Sequence, residues 1–211
     1  MRIEKYLHLK KYNNMKYFDG NFYFVWKPQG LPSTFGQNNS FVDGLIKDKF
    51  FIDNGLSELG LLNRLDNDTG GLLYFALNKD VYNEYKILQS EGRLLKIYIA
   101  DVHGKIKSDT VIAFPIMHSK FFQDRMIVIK NSNLIFKGRG KKHFVETYLE
   151  VLYYDEVKNI TTLRVYIEKG IRHQIRSHLQ SIGHPVVGDK IYAKYTNDDK
   201  LHLRSIGLIR K

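Results

Sequence analysis

The chain has 211 residues, 43% hydrophobic and 13% aromatic, which suits one packed domain and excludes a disordered chain. It holds no cysteine, so disulfides, thiolate nucleophiles and cysteine metal sites are excluded, in keeping with a reducing cytoplasm. A net charge of +11 draws anionic partners, nucleic acid or a membrane surface. No stretch approaches the roughly 18 uninterrupted apolar residues of a membrane span, and the basic N-terminus MRIEKYLHLKKYNNMKYF lacks the apolar core of a signal peptide.

In chain order, FYFVWKPQGLP (22–32) is a strand stopped by Pro28, Gly30 and Pro32. SFVDGLIKDKF (40–50) has Ser40 placed as a cap and apolar Phe41, Leu45 and Ile46, which predicts a short helix. Residues 71–77 read as a buried strand. Residues 80–89 read as a helix, with Val81, Tyr85 and Leu88 at helical spacing and Gly92 as its stop. LKIYIADVHG (95–104) alternates, so one face is expected in the core. Tyr98 shares a face with Lys96 and Ala100, either to line a groove or as a half-buried structural residue.

Strand-like pieces follow at 111–117, 125–130, 144–153 and 160–168. RHQIRSHLQSIG (172–183) reads as a helix with Ile175, Leu179 and Ile182 on one face, and 201–209 as a last strand. Strands follow strands more often than helices, which argues α+β with a mixed or antiparallel sheet. No internal repeat and no clear domain boundary is visible.

The charge is uneven. Residues 51–100 carry a net −2, whereas 1–50, 101–150 and 151–211 carry +4, +4 and +5. The acidic quarter contains NRLDNDTGG (63–71). This is either a polar turn held by Asx hydrogen bonds or a carboxylate site in a basic surround. Asp66 and Asp68 are two apart and point to opposite sides of an extended loop, so their spacing implies no paired acid and base.

In GIRHQIRSH, Arg172 and Arg176 are four apart and would share a helix face, solvated or facing an anion. His173 and His178 are five apart and make a poor metal pair. Residues 120–143 carry seven basic groups, Lys120, Arg125, Lys130, Lys137, Arg139, Lys141 and Lys142, and one acid, Asp124. KGRGKKH (137–143) reads as a mobile basic hairpin gripping phosphates, or as a solvated loop.

NRLDNDTGGLL, KIYIADVHG and IEKGIRHQIRSHLQSIGHPVVGDKIYA, in that order, resemble the pseudouridine synthases of the RluA type. WKPQGLP and LHLRSIGL resemble that family's opening and closing segments, so the likeness runs from about residue 20 to about residue 208. The resemblance implies an α+β fold on a bent, mixed, mostly antiparallel sheet with a central catalytic cleft, formed by 1–211 as one catalytic domain with 1–20 as a short extension. It implies an RNA uridine isomerase without metal or cofactor. Asp66 would be the catalytic aspartate, Tyr98 would pack against the base, and Arg176 would pair with Asp66. Three routes are open to the carboxylate: attack on the ring, attack on the sugar, or removal of a sugar proton.

Arg64 would fill the space left by the flipped nucleotide. Arg172, His173, Gln174, Lys137, Arg139, Lys141 and Lys142 would bind the substrate, a stem-loop of ribosomal or transfer RNA. The expected protein is a cytoplasmic monomer without the front RNA-binding module of many relatives. Its departures are Asn63 and Gly70, where the family has histidine and serine, and Ile171–Arg172, where it has arginine and a variable residue. The rival readings are an inactive RNA-binding or assembly factor of this fold, a glycosidase-like hydrolase using Asp66 and Asp68, and a structural RNA-binding protein.

Overall fold

A computed structural model describes residues 16–18, 21–36, 39–48, 55–194 and 198–211. The chain gathers into two compact units: residues 1–94 with 204–211, and residues 95–203.

In the first unit the strands β1 (Lys16–Phe18), β2 (Phe22–Lys27), β3 (Gly70–Ala76) and β11 (Leu203–Arg210) lie in the order β1-β2-β3-β11. The first three are antiparallel; β11 runs parallel to β3, with Arg204 opposite Gly70 and Ser205 opposite Gly71. β3 is buried at all seven positions, as an apolar run without alternation requires. Gly71 has a φ of +119°, and a Cβ there would lie 2.2 Å from the Ser205 carbonyl oxygen, so only glycine fits beneath β11.

Helix α1 (Phe41–Lys47) starts where Ser40 Oγ accepts the Asp43 N–H at 3.0 Å. The expected extension to 49–50 lies outside the described residues. Helix α2 (Lys79–Ser90) begins at Asn78, whose side chain accepts the Val81 N–H, and ends where Gly92 turns left-handed. Tyr85 and Leu88 of α2 join Phe24, Leu62, Leu72 and Tyr74 in the core.

The second unit holds β4 (Leu94–His103), β5 (Thr110–Ile112), β9 (Thr147–Asp155) and β10 (Ile160–Ile167), antiparallel in the order β4-β10-β9-β5. A smaller sheet has the order β7-β6-β8, with β6 (Ile116–Ser119), β7 (Met126–Val128) and β8 (Gly138–His143). Helix α3 spans Gln174–Ser181. The α+β class with a mostly antiparallel, mixed sheet is as expected.

Three local expectations are corrected. β4 does not keep one open face: Lys96 to Ala100 are all buried, so both of its sides are covered. KGRGKKH is not a hairpin of its own: Lys137 ends a 3-10 turn and residues 138–143 form strand β8, paired antiparallel to β6. His118 opposes Arg139 and Ile116 opposes His143, so the ladder bulges between them, and Gly140 supplies a φ of +73° inside that stretch. Arg172 and Arg176 do not share a helix face, because α3 starts at Gln174 after His173 at a left-handed φ of 51°.

Candidate active site

In the first unit the NRLDNDTGG loop is stitched down on every side. Thr69 N–H donates to the Asp66 carbonyl at 3.0 Å and closes a turn. Ser33 Oγ donates to the Leu65 carbonyl at 2.8 Å and accepts the Leu65 N–H at 3.1 Å. Gly30 N–H donates to the Asn67 carbonyl at 2.8 Å. Asn63, buried, donates to the Leu72 carbonyl at 3.2 Å and accepts the Tyr74 N–H at 2.7 Å, which ties the loop's start to β3. An amide makes both bonds at once, which explains a workable asparagine where the family has histidine.

Lys27 closes the assembly. It ends β2 with its side chain fully buried, and its Nζ donates to the carbonyls of Pro28 (2.9 Å), Leu31 (2.8 Å) and Asn67 (3.1 Å). Burial lowers its pKa from 10.5 to about 8, against the opposing pull of the Asp68 and Asp66 carboxylates. Asp66 is thus a half-buried carboxylate on a hydrogen-bonded loop near a buried cation. The polar turn is present, closed by the backbone bond from Thr69 to Asp66. Arg64 points outward and makes a surface pair with Glu58 at 3.4 Å, an interaction of small strength.

In the second unit Arg176 is 1% exposed. Its Nε and Nη2 donate to Asp189 Oδ2 and Oδ1 at 2.8 and 2.7 Å, and Asp189 is fully buried. A solvated arginine face is therefore excluded at this position. Asp189 Oδ1 also accepts the N–H groups of Ile191 and Tyr192, both at 2.9 Å. The Tyr192 ring stands 5.4 Å from the Arg176 guanidinium, and its hydroxyl accepts the Met126 N–H at 2.8 Å. Tyr98 lies on β4 opposite Val165 and is only 6% exposed.

His173 and Gln174 are buried and brace the start of α3. Gln174 Nε2 donates to the Glu146 carbonyl (2.9 Å) and to Thr147 Oγ1 (3.1 Å). His173 Nδ1 lies 3.1 Å from Tyr192 Oη. Burial first, and then Arg176 and Arg172, lower its pKa from 6.5 to about 4. The folded chain therefore keeps a neutral ring through a window in which the unfolded chain takes up a proton. Stability is expected to fall as pH drops from 6.5 toward 4. Urea unfolding across pH 4–7 checks this: the wild type should lose stability more steeply than His173→Asn, an exchange that tolerates the left-handed backbone. Parallel curves would assign the acid sensitivity to other groups.

His178 is buried with both ring nitrogens engaged, Nδ1 to Thr147 Oγ1 and Nε2 to the Phe114 carbonyl, each at 2.8 Å. Arg172 is exposed and reaches the Gln123 carbonyl at 3.4 Å. Lys137, Arg139 and Lys141 are exposed, and Lys142 lies over the Phe144 ring at 5.2 Å. Beside them, burial first, and then the charges of Arg172, Arg139 and His143, lower the pKa of His118.

Reasoning from residues alone gave no role to Lys27, Asp189 or Tyr192. The signals were a lysine between a buried strand and a proline, and the acid and tyrosine of GDKIY.

The first unit holds a loop with a half-buried carboxylate; the second, taken by itself, holds a buried arginine paired to an aspartate and a basic strand. The fold is one shared with solved pseudouridine synthases. The family described as RNA pseudouridylate synthase matches residues 21–181, and the chain belongs to that family. Ribosomal large subunit pseudouridine synthase D of Buchnera aphidicola (subspecies Schizaphis graminum) is 27% identical over 207 residues, 94% of this chain and 62% of that protein. An uncharacterized RNA pseudouridine synthase of Aquifex aeolicus is 34% identical over 186 residues, 85% of this chain and 55% of that protein. The solved structure of human RNA pseudouridylate synthase domain containing 1 shares the fold, with a TM-score of 0.75 at 22% identity, covering 92% of this chain and 77% of that one. The chain spans less than two thirds of the length of these two curated relatives.

Proposed function

We propose that the protein isomerises uridine to pseudouridine in structured RNA, a stem-loop of ribosomal or transfer RNA, as a cytoplasmic monomer. The observation that carries this reading is Asp66. It is half-buried on a loop held by Lys27, Ser33, Gly30 and Asn63, in a chain whose family match spans both units. Hydrogen bonds of this number hold the backbone that carries the carboxylate, and a reacting group requires such a support.

The reaction breaks the N1–C1′ bond, turns the base, and forms C5–C1′; the C5 proton leaves and N1 gains one. Atoms balance without an oxidant or a water. Asp66 supplies the anionic oxygen that starts the exchange. The family resemblance gives Arg176, held by Asp189, the part of favouring the charged form of that carboxylate, as a neighbouring cation does. Tyr98 is the wall against which the extruded base rests, and stacking returns about 1–3 kcal/mol of an unstacking cost of a few kcal/mol. Arg64 fills the vacated position in the RNA. Arg172, Lys137, Arg139, Lys141 and Lys142 hold phosphates, and His173 and Gln174 support the turn that carries Arg172.

Chemical mapping of pseudouridine, with mass-spectrometric nucleoside analysis of RNA from cells with and without the protein, tests the activity. Specific sites should vanish with the gene and return with the wild-type chain. An unchanged map would favour the RNA-binding factor.

A second expectation concerns the basic strand. Changing Lys137, Arg139, Lys141 and Lys142 together to glutamine should weaken RNA binding. The slope of log K against log salt should fall by about 0.7–0.9 for each phosphate that is no longer neutralised. An unchanged slope in a salt titration would remove β8 from the interface.

A further inference from the structure

The second unit carries a groove of about 500 Å³ between the β6–β7 loop, the 3-10 turn Ser132–Lys137 and one side of α3. Phe121, Phe122, Arg125, Lys130, Lys137 and Tyr192 line it, and α3 contributes Ser177, Gln180 and Ser181. We infer that this groove binds an unpaired RNA strand, with bases stacked on Phe121 and Phe122 and phosphates held by Lys130 and Lys137. The inference rests on the RNA-directed reading above and adds to it a second contact, made by stacking rather than by charge alone.

Phe121 and Phe122 are 69% and 55% exposed, and Phe136, at the end of the same region, is 82% exposed. Neighbouring phenyl groups left in water are costly to keep unless something covers them. They are not carried on a loose loop. Ser119 Oγ accepts the N–H groups of Phe121 (3.2 Å) and Phe122 (3.1 Å). Ser119 N–H donates to the Arg125 carbonyl at 2.9 Å, and Lys120 N–H to the Lys137 carbonyl at 2.8 Å. The backbone that carries the two rings is therefore held, which lowers the ordering left to be done on binding.

The chemistry around the rings selects the occupant. Seven basic residues and one acidic residue fall in 120–143, which suits a polyanion. Arg125 already sits over the Phe122 ring at 5.0 Å, and Lys130 Nζ donates to the Ser181 carbonyl, which holds that cation at the groove wall. Aromatic faces interleaved with cations match a single strand, whose bases offer π faces that a duplex keeps stacked within itself. The position fits as well. Tyr192 lines the groove and also packs on the Arg176 guanidinium, and α3 carries both Arg176 and the groove's polar side. A strand seated here lies beside the helix that orients the proposed active-site arginine.

The test is equilibrium anisotropy binding of a fluorescein-labelled ten-nucleotide oligouridine and of a blunt RNA duplex of the same length. Phe121→Ala with Phe122→Ala should weaken single-strand binding about 10- to 100-fold, the scale of one or two stacked bases. Its salt slope should be unchanged, and duplex binding should stay within about twofold. Phe121→Trp with Phe122→Trp should restore the single-strand affinity. Lys130→Gln with Lys137→Gln should instead lower the single-strand salt slope by about 0.7 for each phosphate released.

Single-strand affinity within twofold of wild type in the double alanine variant would overturn the inference. So would an equal loss on the duplex. A wild type that is a dimer in light scattering, with a monomeric alanine variant, would make this face a protein interface and overturn it too. Strand binding that depends on the two rings, in a protein that forms no pseudouridine, would keep the inference and overturn the synthase reading. Pseudouridine formation with ring-independent strand binding would do the reverse.

Discussion

Asp66→Asn is expected to abolish pseudouridine formation, by more than about 10³-fold, while RNA affinity stays within a few-fold. The exchange keeps shape and removes charge. The bonds that hold the loop run through the backbone of Leu65, Asp66 and Asn67 and through the side chains of Asn63, Ser33 and Lys27. None of these bonds needs the Asp66 carboxylate. Asp68 remains to oppose the burial of Lys27, so the clamp persists with one anion fewer beside it. Loss of product without loss of fold is the expected signature. It is read as turnover on an RNA stem-loop, RNA affinity, and a urea midpoint near that of the wild type. Retained turnover would remove the carboxylate from the chemistry. Lost turnover together with a collapsed urea midpoint would recast the residue as a structural one.

Much of the fold around the candidate site could be read from residues alone, because its signals are local. Ser40 caps its helix by a hydrogen bond three residues long, and Pro28 and Gly30 stop β2 without help from elsewhere. The loop at 63–71 announces itself by two carboxylates and a glycine pair at the edge of an apolar run. What could not be read depends on partners far along the chain. KGRGKKH has the composition of a loop, yet β6 offers it a ladder of backbone bonds, and its side chains lose little by standing on an open sheet. Arg172 and Arg176 have helical spacing, but the Gln174 side chain accepts the Ile171 N–H, and a left-handed His173 delays the helix. One arginine is left outside while the other is drawn in. Lys27 reads as an ordinary strand end; only the fold brings the Asn67 carbonyl, forty residues away, to its Nζ.

The buried pair Arg176–Asp189 should make Asp189→Ala among the most damaging single changes in the second unit, costing about 3–5 kcal/mol. The cost follows from what the change strands. Arg176 is 1% exposed, so its charge has no water to retreat to when its carboxylate is removed. The N–H groups of Ile191 and Tyr192 lose their shared acceptor in the same step. Asp189→Asn separates these effects. Its side-chain oxygen can still accept the two backbone N–H groups, but it cannot neutralise the guanidinium, so its cost should fall between wild type and alanine. Replacing both partners, Arg176→Met with Asp189→Leu, should recover part of the loss in urea unfolding, because no lone charge is left inside. Activity should stay absent in that double variant even where stability returns. That split between a recovered fold and a missing reaction identifies Arg176 as part of the site. If instead Asp189→Ala costs less than about 1 kcal/mol, the arginine has another way to meet water or an anion, and the pair does not hold it in place.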